Sequence, residues 1–240
     1  YARKYNEIIL VFFSLFIFLT VYFTGERIAI FNTFISIFLI MILLQSKKID
    51  YYFLSTFLLF TVYLLFFSNL LVNNRIILNT INQIGIFEKQ KYFFSKNIDA
   101  YYHTALNMFY ANPLLGIGPK NFRLFCSDPD YIYIATNMEN CNTHPHNIFI
   151  QLLSETGIFS AFLYIIFYLW ITFNLLNFFI HSFKERKNQI LKFNFFIFLC
   201  LFLNLSPFVP SGNFFNSWLS TIFYLPLGYI IFAKRFTQIQ

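Results

Sequence analysis

Six stretches of the chain, at about 8–24, 28–45, 51–71, 158–180, 193–209 and 214–233, are apolar throughout and contain no Asp, Glu, Lys or Arg. Crossing a bilayer takes roughly 20 consecutive apolar residues, so each predicts a membrane-spanning helix. The expected fold is all-α: a polytopic transmembrane helical bundle with one long loop outside the membrane. Residues 1–71 form three spans, 72–157 the loop, and 158–240 three more. The first span is not read as a cleaved signal, because it lacks a small-residue cleavage site and two further spans follow it closely.

Inside the loop the pattern changes. From Ile98 to Phe109 the apolar residues Ile98, Tyr101, Tyr102, Ala105, Leu106 and Phe109 recur at helical spacing, with Asp99, His103 and Asn107 on the other face. This predicts an amphipathic helix whose Tyr-rich side suits the membrane interface. Asn112-Pro113 ends it, since proline restricts the residue before it. The run Pro113 to Pro119, with Gly116 and Gly118, is too rich in Gly and Pro for a regular element. A second helical pattern, Ile148 to Thr156, meets the fourth span at Gly157.

Composition fits a lipid environment: 58% of residues are hydrophobic, 38 are Phe, and 11% are charged, against about 25% charged in a soluble domain. Charge then orients the chain. Lys and Arg in short connections stay cytoplasmic, whereas long loops cross largely regardless of charge. Arg3, Lys4, Lys47, Lys48, Lys184, Arg186, Lys187, Lys192, Lys234 and Arg235 fall on one side, and the opposite short connections, 25–27 and 210–213, hold only Arg27. Both ends are therefore expected in the cytoplasm and residues 72–157 outside it. The net charge of +7 is mostly cytoplasmic anchoring and calls for no nucleic acid. Cys126 and Cys141 lie in the loop, where an oxidising compartment favours disulfides; a bridge around Asp128-Pro129-Asp130 is expected, with two free thiols as the alternative.

Several constellations could carry chemistry. Gly116-x-Gly118 lacks the strand and helix of a dinucleotide fingerprint and reads as a tight loop letting backbone approach a helix. Cys141-x-x-His144-x-His146 does not have a recognised zinc spacing, and Asp128-x-Asp130 reads as a turn rather than a metal-binding pair. No metal and no cofactor are expected. His144 and His146 stand beside a helix start at the mouth of the bundle, where a group titrating near neutrality suits general-base work. Asn147 either supports that site or caps the helix. Arg75, Lys91, Lys96, Lys120 and Arg123 are the cations available to an anionic ligand, with solvation or headgroup binding as the alternative for each. Arg is the better diphosphate clamp. The uncharged spans argue against ion-coupled transport.

Three runs carry a resemblance: Ala105-Leu106-Asn107-Met108-Phe109 through Asn112 to Phe122, Thr143-His144-Pro145-His146-Asn147, and Gln151 to Gly157. They resemble the bacterial O-antigen ligase and O-antigen polymerase superfamily, multi-spanning glycosyltransferases of the GT-C type. The ligase pattern of His, then Asn, Ser or Gln, then nine residues and Gly is matched by His146, Asn147 and Gly157. The chain departs from the family at Ser160, where a second Gly is common, and at Lys96 and Asn97, where an Arg is usual. The family typically has about twelve spans, and the chain lacks an initiator Met, so a C-terminal portion of a longer protein is expected.

The resemblance implies transfer of a glycan from undecaprenyl diphosphate to an acceptor sugar hydroxyl, such as that of lipid A core, at the periplasmic face of the bacterial inner membrane. It implies membrane lipids and acceptor glycolipid as partners. In this reading the enzyme is metal-independent and inverting. His146 is the base, Arg123, Arg75, Lys96 and Lys120 bind the donor diphosphate, and Asn147 and His144 support. Gly116, Gly118 and Gly157 shape the backbone. The alternatives are a polymerase that joins lipid-linked repeat units and, more distantly, a non-enzymatic lipid-glycan transporter or assembly scaffold.

Overall fold

A computed structural model describes residues 2–44, 55, 57–63, 81–82, 92, 94–133, 141–185 and 188–237, and the described residues include helices and no strand. The chain divides into two compact units, Tyr1–Lys91 and Tyr92–Gln240. In the first, α1 (Ala2–Thr24) and α2 (Arg27–Leu44) are joined by a tight turn at Gly25, φ 70°. Phe18, Tyr22, Ile30, Ile37, Met41 and Phe57 form their core, with Phe18 edge-on to Phe57 at 5.3 Å. Most of the predicted third span, and Arg75 and Lys91, lie outside the described residues.

The second unit holds α3 (Lys96–Ala111), α4 (Phe122–Phe125), α5 (Ile148–Lys184), α6 (Gln189–Asn204) and α7 (Ser217–Thr237). Helix α3 starts where the Ser95 side chain accepts the Ile98 N–H at 3.3 Å and has Asp99 in its first turn, both favourable at a helix N-terminus. It stops at Asn112, whose N–H still reaches the Met108 carbonyl at 3.1 Å. The amphipathic pattern located this helix but not its surroundings. Its buried residues, Ala100, Tyr101, Thr104, Ala105 and Met108, are covered by the protein itself, with α5 its main partner, while Ile98, Tyr102, Leu106 and Phe109 are only partly covered.

Helix α5 bends at Gly157, the one residue within it whose backbone is not helical (φ 78°, ψ −175°). Beyond the bend it runs about 40 Å at 1.5 Å per residue. One face, Ala161, Tyr164, Tyr168, Ile171 and Leu175, is buried, with Tyr168 stacked on Phe202 of α6 and the Tyr164 hydroxyl donating to the Leu205 carbonyl. The other face exposes Phe159, Phe162, Leu163, Leu169, Phe173 and Leu176, an apolar stripe too long for water to be its natural neighbour. Among the described residues α5 is the helix long and apolar enough to cross a membrane, while Phe12–Thr24, Arg27–Leu43 and Gln189–Asn204 are shorter apolar helices.

The expected spans 193–209 and 214–233 are displaced in the structure. Helix α6 ends at Asn204 and α7 begins at Ser217. Pro207 and Pro210 cannot continue a helix, and Asn216 starts the next one by accepting the Trp218 N–H on its side chain at 3.0 Å and the Ser220 N–H on its carbonyl at 2.9 Å. Phe208 and Val209 on one side of the polar 210–213 segment, and Phe214 and Phe215 on the other, are apolar residues that belong to the connection rather than to the helices.

Candidate functional site

The loop between α3 and α4 is sewn to the bend in α5 by backbone hydrogen bonds. The Ile158 N–H donates to Pro113 O, Ile117 N–H to Ser154 O and Gly118 N–H to Glu155 O, at 2.9, 3.0 and 2.9 Å. The bend would otherwise orphan some of these groups. Such contact requires glycine on both sides. A Cβ on Gly116 would lie 2.4 Å from the Glu155 carbonyl carbon, and one on Gly157 would lie 2.1 Å from Leu114 O.

Next to this seam sits a carboxylate that the sequence pattern does not single out. Glu155 is fully buried, and its oxygens accept from the Lys120 N–H, the Phe122 N–H and Gln151 Nε2, each at 3.0 Å. Burial raises its pKa, opposed by those bonds from Phe122, Gln151 and Lys120 and by the charge of Arg123. Gln151 extends the network: Nε2 also donates to Asn213 Oδ1 at 2.9 Å, and Oε1 accepts the Phe214 N–H at 2.9 Å. One buried pair thus ties the turn carrying Lys120 and Arg123 to the α6–α7 connection. The available signal was two polar residues four apart on one helix face, leading into an apolar run.

The histidine segment is docked on that same connection. Ser211 donates its N–H to His146 O at 2.8 Å, accepts the Ile148 N–H on its hydroxyl at 2.9 Å, and accepts from His144 Nε2 on its carbonyl at 3.3 Å. Asn147 caps α5, its Oδ1 accepting the Ile150 N–H at 3.0 Å, while its Nδ2 donates to Pro207 O at 2.8 Å. Its side-chain oxygen and nitrogen are thus both engaged within the protein. Neither Ser211 nor Asn213 stands out in a short polar connection.

The two histidines differ. In His144, Nε2–H faces a carbonyl and Nδ1 lies 2.9 Å from the Thr143 hydroxyl, so both nitrogens are engaged. Burial pushes its pKa down to about 4, helped by His146 and opposed by the Ser211 bond. His146 is partly buried and has backbone φ 58°, one of two positive values at non-glycine residues among those described; the other is Lys120, φ 63°. Such conformations cost free energy and cluster at functional sites. The His146 ring lies against Tyr101 with centroids 5.7 Å apart and 4.2 Å from His144, and its Nε2 meets Asn142 Nδ2 at 3.0 Å. Burial lowers its pKa below the ordinary 6.5, which favours the neutral ring near pH 7.

A cavity of about 490 Å³ opens beside them, lined by Lys120, Arg123, Thr143, His144, Asn213 and Trp218 among others. It brings two of the predicted cations to the histidine segment. Lys96 sits exposed at the start of α3 and is not part of this wall. His144 reaches the cavity, with His146 in contact behind it. Cys126 and Cys141 are disulfide-bonded with a Cα–Cα distance of 4.9 Å. The bond links the end of α4 to the segment leading into the histidines.

His144 also sets a pH dependence of stability. Its pKa is about 4 folded against about 6.5 unfolded, so between these values the unfolded chain binds more protons. Stability is full above pH 6.5 and falls as the pH drops toward 4. The thermal midpoint of the wild type is expected to fall further between pH 7 and 4.5 than that of His144→Gln.

No curated protein and no solved structure matched the chain. Residues 12–165, more than half of the chain and including the seam, the cations and the histidine segment, match the family model described as O-antigen ligase, and the chain accordingly belongs to that family.

Proposed function

We propose that the protein is a multi-pass inner-membrane glycosyltransferase that moves a glycan from a prenyl diphosphate, undecaprenyl diphosphate in the family reading, to a sugar hydroxyl of an acceptor glycolipid such as lipid A core. The observation that carries this reading is the cavity that places Lys120 and Arg123 beside the histidine segment. A donor already activated on a lipid suits an active face away from the cytoplasm, where the distribution of Lys and Arg puts residues 72–157.

In the reaction the acceptor hydroxyl oxygen attacks the anomeric carbon as its proton passes to His146 Nε2. The anomeric carbon–oxygen bond to the diphosphate breaks, and the diphosphate leaves with the electron pair, its charge met by Arg123 and Lys120. In-line attack inverts the anomeric centre. His146 is the better base of the two, because Asn142 on its Nε2 can be exchanged for a substrate hydroxyl, whereas both nitrogens of His144 are held by Thr143 and Ser211.

Arg123→Ala is expected to raise the KM for the lipid-linked donor roughly 10- to 100-fold, with Arg123→Lys recovering only part of it. An unchanged donor KM would remove Arg123 from the binding site. The substrate class is tested by expressing the full-length gene in a strain deleted for it and examining lipopolysaccharide and lipid-linked glycan together. Restored attachment of long chains to the core supports ligation. If the deletion leaves single repeats on the core and the gene restores long chains, the protein is a polymerase.

A further inference from the structure

To take the acceptor proton on Nε2, the ring of His146 must carry its lone pair on that nitrogen, and Asn142 is placed to select this state. Asn142 Oδ1 accepts the Thr143 N–H at 2.7 Å, which orients the amide so that Nδ2, a donor, faces His146 Nε2 at 3.0 Å. A ring nitrogen that accepts a hydrogen bond carries no proton, so the neutral imidazole has its proton on Nδ1. Flat contact with Tyr101 fixes the plane of the ring, but a ring turned over by 180° would satisfy that contact equally well. The amide of Asn142 distinguishes the two orientations.

Asn142 is itself held from outside its own segment. It follows Cys141, which is bonded to Cys126, and its carbonyl lies 3.9 Å from Cys126 Sγ. Cys126 is fully buried in a cluster with Tyr101, Ala105, Met108 and Phe122. The stacking face of Tyr101 and the tether of Asn142 therefore share one anchor, the packing of α4 on α3.

We propose that Asn142, tethered through the Cys126–Cys141 disulfide, is a positioning residue that sets the tautomer and ring orientation of His146 before the acceptor arrives, its amide then yielding Nε2 to the acceptor hydroxyl. This rests on the reading of His146 as the base. Free neutral imidazole side chains prefer the opposite tautomer, with the proton on Nε2, so removing the amide or its tether turns the lone pair away from the reacting position.

The test uses the full chain labelled with ¹⁵N-histidine in lipid nanodiscs at pH 8, with the His146 signal identified by its loss in His146→Asn. Wild type is expected to show the Nδ1–H tautomer. Asn142→Asp, which keeps the shape but replaces the donor by an acceptor, and the double variant Cys126→Ser/Cys141→Ser are expected to shift His146 to Nε2–H. In Asn142→Asp, kcat is expected to fall roughly 10- to 100-fold, less than on loss of the base itself, with the donor KM unchanged. A wild-type ring already in the Nε2–H form, or variants that keep Nδ1–H, would overturn the proposal. A tautomer that shifts while kcat does not would leave the positioning intact and sink the reading of His146 as the base.

Discussion

Replacing His146 by alanine is expected to lower glycan transfer by roughly 10²- to 10⁴-fold, the range that a positioned general base contributes. The donor KM should change little, because Arg123 and Lys120 remain on the cavity wall. His144→Ala is expected to cost less, since that ring is buried, already engaged at both nitrogens and pushed down to a pKa of about 4. The rate of the wild type should be flat from neutral pH upward and fall on acidification below the ordinary histidine value, because burial lowers the pKa of His146. A transfer assay in lipid vesicles with a lipid-linked glycan and an acceptor glycolipid separates these variants. Full activity in His146→Ala, with loss in His144→Ala, would exchange the two roles.

Gly157→Ala is expected to be the most damaging small substitution for folding. Its φ of 78° and ψ of −175° lie in a region that essentially only glycine occupies, and the new Cβ would lie 2.1 Å from Leu114 O, a backbone atom that cannot swing aside. Strain and overpacking together amount to roughly 2–6 kcal/mol, comparable with the entire stability of many domains. Gly228 offers the control: it lies in α7, and nothing stands within 4 Å of a Cβ built there. Gly228→Ala is expected to be neutral or to stabilise by up to about 1 kcal/mol. Folded yield and thermal midpoint in detergent distinguish the two, and an equal response would mean that the seam between the 113–118 loop and α5 does not exist in solution.

Local chemistry was the most legible part of the chain. The helical pattern from Ile148 to Thr156 and its junction with the fourth span at Gly157 located the start of α5 and the residue at which it bends, because a cap and a glycine leave their mark within a few residues. The apolar positions of α3 were equally plain, but a periodic face says that something covers it and not what does. Tyr101, one residue of that face, is buried against His146. The connection expected at 210–213 is wider in the structure, 205–216, because apolar content alone does not tell Phe208, Val209, Phe214 and Phe215 in a loop from the same residues in a helix. Glu155, Gln151, Ser211 and Asn213 were not legible as a set. Their bonds join residues more than thirty or sixty positions apart, and one sequence carries no record of such pairing.

The buried carboxylate of Glu155 has a consequence for recombining family members. Its two backbone contacts, to Lys120 and Phe122, make the cation-bearing turn and the first turns of α5 a single inheritable cassette. Through Gln151 the cassette extends to Asn213 and Phe214. A chimera that transplants the turn around Arg123 to change donor preference must keep the backbone path that aims the Lys120 and Phe122 N–H groups at Glu155, or it will leave a buried carboxyl without its donors. Crossover points belong instead in the exposed apolar stretch of α5 beyond the bend.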